Sequence, residues 1–388
     1  MTVATTYMPA DIAFTHGEGI WLYDTKGKPY LDALCGIAVT GLGHAHAEVT
    51  ETIQKQAAKL LHTSNAFRII EQERLAEKLT KLTGLREVFL ANSGAEANET
   101  AFKLTRLFGH QKHIETPSVI VMSGAFHGRT LATLSATGNR RHQAGFEPLV
   151  PGFVRAPFND IQAIETIAKN RKDIVAIMVE PIQGEGGIHV ADEAYLHGLS
   201  RVCRENDWLL MFDEVQTGNG RTGSLYRYMN QGVVPDVMTT AKGLGNGVPI
   251  GACLLGERAT GLFKPGSHGS TFGGNPLVSA TASTVLDVIV RDKLSERAYE
   301  LGLGIKQALQ EKLGEHPSVK GIRGQGLMLG IELHKDAMPL KQIGLEEGII
   351  FNVTNQSVVR MLPPLILTDE EKGELVSRML RSLERFLD

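Results

Sequence analysis

The chain has 388 residues, of which 42% are hydrophobic and 21% charged, and its formal net charge is -3. That length supports a large core and more than one domain, and the composition is that of an ordinary globular protein, neither disordered nor membranous. With no basic excess, nucleic acid and anionic lipid surfaces are excluded as expected partners, which leaves small molecules.

The first residues, Met1 to Ala10, have neither a basic start nor an apolar core, and no stretch reaches the roughly 18 apolar residues of a membrane helix, so neither export nor anchoring is expected. Cys35, Cys203 and Cys253 lack any Cys-x-x-Cys spacing and sit in apolar or helical surroundings, as buried reduced thiols of a cytoplasmic protein would. Residues 19–35 read as short strands around a turn at Asp24 to Lys28. Amphipathic spacing predicts helices over 48–62 and 71–83.

From there a regular alternation begins. Apolar runs at 87–91, 118–122, 174–180 and 209–212 read as strands with helical stretches between them, which indicates an α/β domain with a mainly parallel sheet covered on both faces. Ligands in such sheets sit beyond the carboxyl ends of the strands, where Asn92-Ser93-Gly94, Glu180-Pro181 and Asp213 fall. After about residue 280 a long helix is expected, then strands over 320–333 belonging to a separate α+β domain, then a helix from Thr368.

The chemistry concentrates in 209–251. Asp213 ends an apolar run, and Lys242 stands among Gly243, Gly245 and Gly247. A primary amine forms an imine with an aldehyde cofactor, and a carboxylate keeps a pyridine nitrogen protonated, so the pair suggests pyridoxal 5'-phosphate. A carboxylate about 4 Å from the ring nitrogen stabilises the pyridinium by about 4 kcal/mol at an effective dielectric of 20. That is roughly three pKa units, enough to hold the ring charged at neutral pH. An acid after a strand also serves commonly as a turn residue, and most lysines are solvated surface groups. The small and apolar neighbours of Lys242 favour a lysine that loses its proton readily.

Other motifs carry less information singly. The free amides of Gly94 and Ala95 at a helix start suit a phosphate, although Ser93 with Glu96 is equally a capping box. Phe126 and Arg129 offer an aromatic plane beside a guanidinium fork, and Arg360, before Pro363-Pro364, offers a second fork; core packing, a surface ion pair or an interface are their plainer uses. Glu185 reads as a loop acid. His44 and His46 alternate as metal ligands do, but no further ligands accompany them, and no metal site is expected.

Taken together the motifs form an ordered series: Gly17 to Asp24, Tyr30 to Asp32, Gly43 to His46, His62 to Asn65, Ser93 to Glu99, Phe126 to Thr130, Glu180 to Gly187, Phe212 to Gly218, Gly220 to Gly223, the Lys242 loop, His268 to Pro276 and Arg360 to Leu365. Over almost the whole chain this series resembles the class III, ornithine-type aminotransferases of PLP fold type I. The resemblance implies a large domain over 46–282 with a seven-stranded, mainly parallel sheet. It also implies a small α+β domain built from 283–388 with a contribution from 1–45.

The same resemblance implies that Lys242 holds the cofactor as an imine and then moves the substrate proton, that Asp213 pairs with the pyridinium, and that Val215 and Phe126 sandwich the ring. Gln216 is expected at its phenolic oxygen, and Gly94 and Ala95 at the phosphate with Thr271 from the partner of a homodimer. Arg129 is implied to take the distal carboxylate of glutamate or the α-carboxylate of N-acetylornithine, and Arg360 the α-carboxylate of glutamate. Glu185 is implied to act as a switch on Arg360, and Ser270 to contact substrate. The implied reaction converts N2-acetyl-L-ornithine and 2-oxoglutarate to N-acetyl-L-glutamate 5-semialdehyde and L-glutamate, in arginine biosynthesis.

The chain departs from that pattern at Phe67-Arg68, where a tyrosine is expected nearby, and at Ala47, where proline is usual. Succinylornithine, free ornithine, an N-acyl diaminopimelate precursor and 4-aminobutyrate stand as alternative amines. Glutamate semialdehyde aminomutation fits the two arginines with Glu185 less well. A nicotinamide-dependent dehydrogenase is a distant alternative, since no strand is followed by Gly-x-Gly-x-x-Gly and Gly324-Gln325-Gly326 has the wrong spacing.

Overall fold

In the computed structural model, which describes residues 2–387, the apolar runs of the sequence lie side by side in a seven-stranded sheet. Its order is Glu87–Ala91, Gly251–Leu255, Val237–Thr240, Leu209–Asp213, Ile174–Val179, Ser118–Met122 and Phe153–Ala156. Gly251–Leu255 runs against both neighbours and the rest run together. Every residue of Ile174–Val179 and Leu209–Asp213 is buried, because both faces of a parallel sheet are covered, and that is why these strands are continuously apolar rather than alternating.

The strand ends explain where the site lies. Parallel strands deliver Asn92, Ser123, Glu180, Asp213 and Ala241 to one edge, while the reversed strand brings Ile250 to the same edge at its start. Gly251 is required there: a Cβ on it would lie 2.1 Å from the Ser93 carbonyl oxygen, so only glycine lets the strand pass the turn that opens the Gly94–Gln111 helix.

Both chain ends add smaller sheets. Phe14–Glu18, Trp21–Asp24 and Pro29–Asp32 form an antiparallel meander, and Ile349–Ile350 joins Pro29–Asp32 in parallel. The turn expected at 24–28 is tied by the Asp24 carboxylate, which accepts from the amides of Lys26 and Lys28 at 2.8 and 2.9 Å. Val319–Gln325, Met328–Leu333, Val358–Met361 and Asn352–Thr354 form an antiparallel sheet in that order, with Arg360 inside the third strand.

The helices refine the sequence reading. Those expected over 48–62 and 71–83 are Ala47–Lys59 and Ile70–Thr83, the second ended by Gly84 in the left-handed region. The long helix expected after residue 280 is two helices, Pro276–Arg291 and Leu294–Leu313. Asn275 caps the first with Pro276 at its first position, and Lys293 at φ 52° breaks the run between them. Asp369–Leu387 forms the final helix. Among the described residues no helix is long and apolar enough to cross a membrane.

Candidate functional site

A cavity of about 390 Å³ opens at the carboxyl edge of the sheet. Asp213, the last residue of its strand, stands buried in the wall. Its Oδ2 accepts from Asn98 Nδ2 at 2.8 Å and lies 2.8 Å from His127 Nδ1, while Oδ1 accepts from the Val215 amide at 3.1 Å. Facing a carboxylate, the His127 Nδ1 carries the proton and donates. Asn98 is itself fixed, donating to the His127 carbonyl at 2.8 Å and accepting from Thr239 Oγ1 at 2.7 Å. A carboxylate so surrounded by donors is held in one direction.

Two residues beyond the Val237–Thr240 strand, Lys242 adopts φ 47°, a left-handed conformation that costs a non-glycine residue about 1–2 kcal/mol. Its side chain lines the same cavity. Burial holds its amine below the ordinary lysine pKa and Arg360 adds to that, against the opposing pull of Glu185, Asp213 and Glu180. A lysine in this state supplies a neutral amine at lower pH than a surface lysine does.

Gly94 and Ala95 form the first turn of the Gly94–Gln111 helix and line the cavity, where their amides have no carbonyl four residues back to bond. Ser93 Oγ caps the helix by accepting from the Glu96 amide at 3.1 Å, while Glu96 Oε2 reaches past Ser93 to accept from the Asn92 amide at 2.6 Å, so one half of the expected capping box forms and coexists with the open amides. A Cβ at Gly94 would come within 2.7 Å of Val215 Cγ1, and its absence lets Val215 reach the cavity wall. Phe126 is on the wall as well, with the Arg129 guanidinium 5.5 Å from its ring centroid.

Arg360 is fully buried, its Nη1 donating to Glu185 Oε1 at 2.6 Å and to Gln216 Oε1 at 3.2 Å, and its Nε to Asn352 Oδ1 at 3.0 Å. Its Nη2 is buried without a partner, a free donor beside the cavity. Burial by itself would raise the Glu185 carboxyl, but Arg360 outweighs it and holds the group below the usual carboxylate range. Glu185 and Gln216 line the cavity, and Arg360 stands behind them.

The fold thus brings Lys242, Asp213, Gly94, Ala95, Phe126, Val215, Gln216, Arg129 and Glu185 to one cavity. It does not bring Ser270 and Thr271 there within a single chain. Ser270 Oγ accepts from Asn92 Nδ2 and from the Gly273 amide, both at 3.1 Å, and Thr271 is exposed on the same loop. His44 does not turn to a metal cluster; its Nε2 pairs with Asp32 Oδ2 at 2.8 Å.

Several groups at the site were given no role by the sequence reading. Asn98 falls four residues into the helix after Gly94, the spacing that returns a side chain to the same face, and this is the one signal that pointed to it. His142 meets Phe126 edge-on with centroids 6.0 Å apart, and burial together with Arg129 pushes its imidazole below the usual histidine range. Glu180 is buried on the cavity wall, and its carboxyl is pushed up to about 7 by burial. What the cavity offers chemically is an amine of lowered pKa, a fixed buried carboxylate, open amides for an anion, one guanidinium for a carboxylate and a second covered by Glu185 and Gln216.

Residues 2–383 match the family described as Aminotransferase class-III. The chain is 49% identical over 386 residues to acetylornithine aminotransferase of Nitrosomonas europaea, covering 100% of this chain and 98% of that one. Among solved structures it is similar to acetylornithine aminotransferase from Elizabethkingia anophelis, with a TM-score of 0.89, 34% identity and coverage of 99% and 96% of the two chains. It is also similar to an ornithine aminotransferase from Toxoplasma gondii that holds PLP at partial occupancy in its active site, with a TM-score of 0.95, 35% identity and coverage of 98% and 92%.

Proposed function

The chain belongs to the class-III aminotransferases, and from that premise we propose that it transfers the δ-amino group of N2-acetyl-L-ornithine to 2-oxoglutarate, using pyridoxal 5'-phosphate, within arginine biosynthesis. The observation that carries the substrate reading is the buried Arg360 neutralised by Glu185, beside an exposed Arg129. An acylated ornithine has one carboxylate and glutamate has two, so a site serving both needs one guanidinium always open and one that can be covered.

The residues present fit the cofactor. The open amides of Gly94 and Ala95 suit its phosphate, Asp213 its ring nitrogen, Phe126 and Val215 its faces, Gln216 its phenolic oxygen and Lys242 its aldehyde. When bound, the cofactor supplies an electrophilic carbon and a ring that accepts electrons from the substrate carbon. Lys242, with its lowered pKa, supplies a neutral amine that would take a proton from that carbon and deliver it to the cofactor carbon that carried the aldehyde. Asp213, held by Asn98, His127 and the Val215 amide, keeps its negative charge aimed at one place without reorganising.

Glu185 lies over the Arg360 Nη1 while a substrate with a neutral acyl end is bound, and swings away when a second carboxylate arrives to take Nη1 and the free Nη2. The same reading has the enzyme acting in the cytoplasm as a homodimer whose partner brings Thr271 to the cavity. The exposure of Thr271, and of Phe272 next to it at 59%, supports that pairing.

The test is the absorption spectrum of the reconstituted protein before and after addition of N-acetylornithine, with N-succinylornithine, ornithine and 4-aminobutyrate in parallel. A near-visible band that bleaches fastest with N-acetylornithine is expected. If no band forms, or if it survives Lys242→Ala unchanged, the cofactor assignment fails; if another amine bleaches it faster, the substrate assignment fails alone.

A further inference from the structure

Catalysis as outlined gives Glu180 no task, yet the side chain is 6% exposed and forms part of the cavity wall. It follows the Ile174–Val179 strand directly, and its two oxygens go to different segments. Oε1 accepts from the Phe126 amide at 2.7 Å and Oε2 from the Gly184 amide at 3.1 Å. The first amide belongs to the loop that carries Phe126 and Arg129, the second to the loop that carries Glu185. No strand pairing joins these loops. A second tie runs alongside, from Gln183 Nε2 to the Ser123 carbonyl at 2.8 Å.

A carboxylate in such a place is expensive unless donors compensate it, and acids retained under that penalty gather at functional sites. Burial pushes the Glu180 carboxyl up and Asp213 adds to this, whereas His127 and the Phe126 and Gly184 amides oppose it. A purely structural link between two loops needs no charged group here, since a backbone or amide bond of the Gln183 kind suffices. What the carboxylate adds is two acceptors on one rigid centre, so a shift of either loop is felt by the other.

We propose that Glu180 is a positioning residue that locks the Arg129 loop to the Glu185 loop, so that both carboxylate-recognising ends of the cavity are set by one buried side chain. This rests on the substrate roles assigned above to Arg129, Glu185 and Arg360. Glu180→Gln keeps the size but offers one acceptor, and turns an amide NH2 toward an amide N–H that then has no partner.

The experiment is hydrogen–deuterium exchange on the cofactor-loaded enzyme and its Glu180→Gln and Glu180→Asp variants, with steady-state kinetics for the amino donor and for 2-oxoglutarate. Exchange in segments 123–130 and 183–187 is expected to quicken together by roughly tenfold, the factor a lost hydrogen bond to a charged group supplies. The Gly94–Gln111 helix should exchange as before. KM should rise by a similar factor for both substrates, with kcat changed less than about threefold and the cofactor band retained.

Loosening of one segment alone, or a fall in kcat with both KM values unchanged, overturns the proposal. Should the glutamine variant fail to fold, the aspartate variant, which keeps the charge but shortens the reach, must show the same paired loosening or the proposal is overturned. If the wild-type enzyme transaminates none of the amines while the paired loosening appears, the substrate reading has failed and the coupling has not.

Discussion

Glu185→Gln isolates the switch. The change keeps the shape of the side chain and removes the charge that faces Arg360 Nη1 at 2.6 Å. Breaking a buried ion pair costs about 3–5 kcal/mol because a buried charge is left alone. Arg360 is fully buried, but the Glu185 side chain is 32% exposed, so solvent screens part of the interaction and roughly 2 kcal/mol is a fair expectation. At about 1.4 kcal/mol per factor of ten that is about thirtyfold.

The change should appear in a ratio. With Arg360 no longer neutralised, kcat/KM for glutamate rises and kcat/KM for N-acetylornithine falls, so the preference for the acylated amine drops about thirtyfold. Each half-reaction is followed separately through the cofactor absorbance. Acid should imitate the mutation. Arg360 outweighs burial and holds the Glu185 carboxyl below the usual carboxylate range, so the pairing is complete above that range and lost as pH falls through the lowered value. A preference ratio that stays within about threefold of wild type, or that moves toward N-acetylornithine, refutes the switch.

Lys242→Ala should reduce turnover by at least about 10⁴, since both the amine and the proton carrier are lost; borohydride treatment of the wild-type enzyme should fix the cofactor to Lys242, and label elsewhere refutes the assignment. Asn98→Ala strands a Thr239 hydroxyl and a His127 carbonyl and removes a donor from Asp213. With each buried unpaired group worth about 1–3 kcal/mol, a loss near 3 kcal/mol is expected in urea unfolding, and a loss under about 1 kcal/mol refutes the network.

Glu180 gives a pH signature of the opposite sign to Glu185. Its folded-state pKa, about 7, is raised above the ordinary carboxylate value near 4.5, so the stability it contributes is present in acid and lost as pH rises through 7. Compared with Glu180→Gln, the wild type should lose stability as pH rises from 5 to 8, and a constant difference refutes the assignment. Asp213, His127 and Lys242 face the same wall, so only the difference between the two proteins is diagnostic.

The placement of Lys242 and Asp213 at one cavity was legible because each announces itself locally: a lysine followed by glycines and preceded by small residues has few side chains to hide it, and an acid ending an apolar run lies at a strand end in any parallel sheet. The strand direction of Gly251–Leu255 was not legible, since five buried apolar residues look alike in either orientation and only the partners at Val237–Thr240 and Glu87–Ala91 decide it. The break at Lys293 was hidden for a related reason. Apolar spacing continues on both sides, and the left-handed residue between the helices is a lysine, which carries none of the turn signal of glycine.

His127 and Glu180 show a deeper limit. Both stood inside motifs, but the roles of such residues depend on contacts across long stretches of chain: His127 with Asp213 across 86 positions, Glu180 with Phe126 across 54. Arg360 and Glu185, 175 positions apart, were paired in advance only through resemblance to a family, since nothing in the residues between them fixes their distance.

The charges around the cavity form a balanced set with an uneven arrangement. Lys242 and Arg129 share the cavity wall with Asp213, Glu180 and Glu185, and Arg360 lies behind Glu185, so selectivity between substrates turns on which of these pairs are closed. Asp213 is committed to Asn98 and His127, and Glu180 to two backbone amides. Of the three acids only Glu185 is bonded to a side chain that a substrate carboxylate can take over. On the roles proposed for these residues, a monocarboxylate would meet one open guanidinium, and a dicarboxylate two only by displacing Glu185. That displacement would set the energy difference between the two substrates, and it would work only if the loops carrying Arg129 and Glu185 keep a constant separation while Glu185 moves. Glu180 joins the backbone of those loops rather than their side chains, and so can hold the separation without hindering the switch.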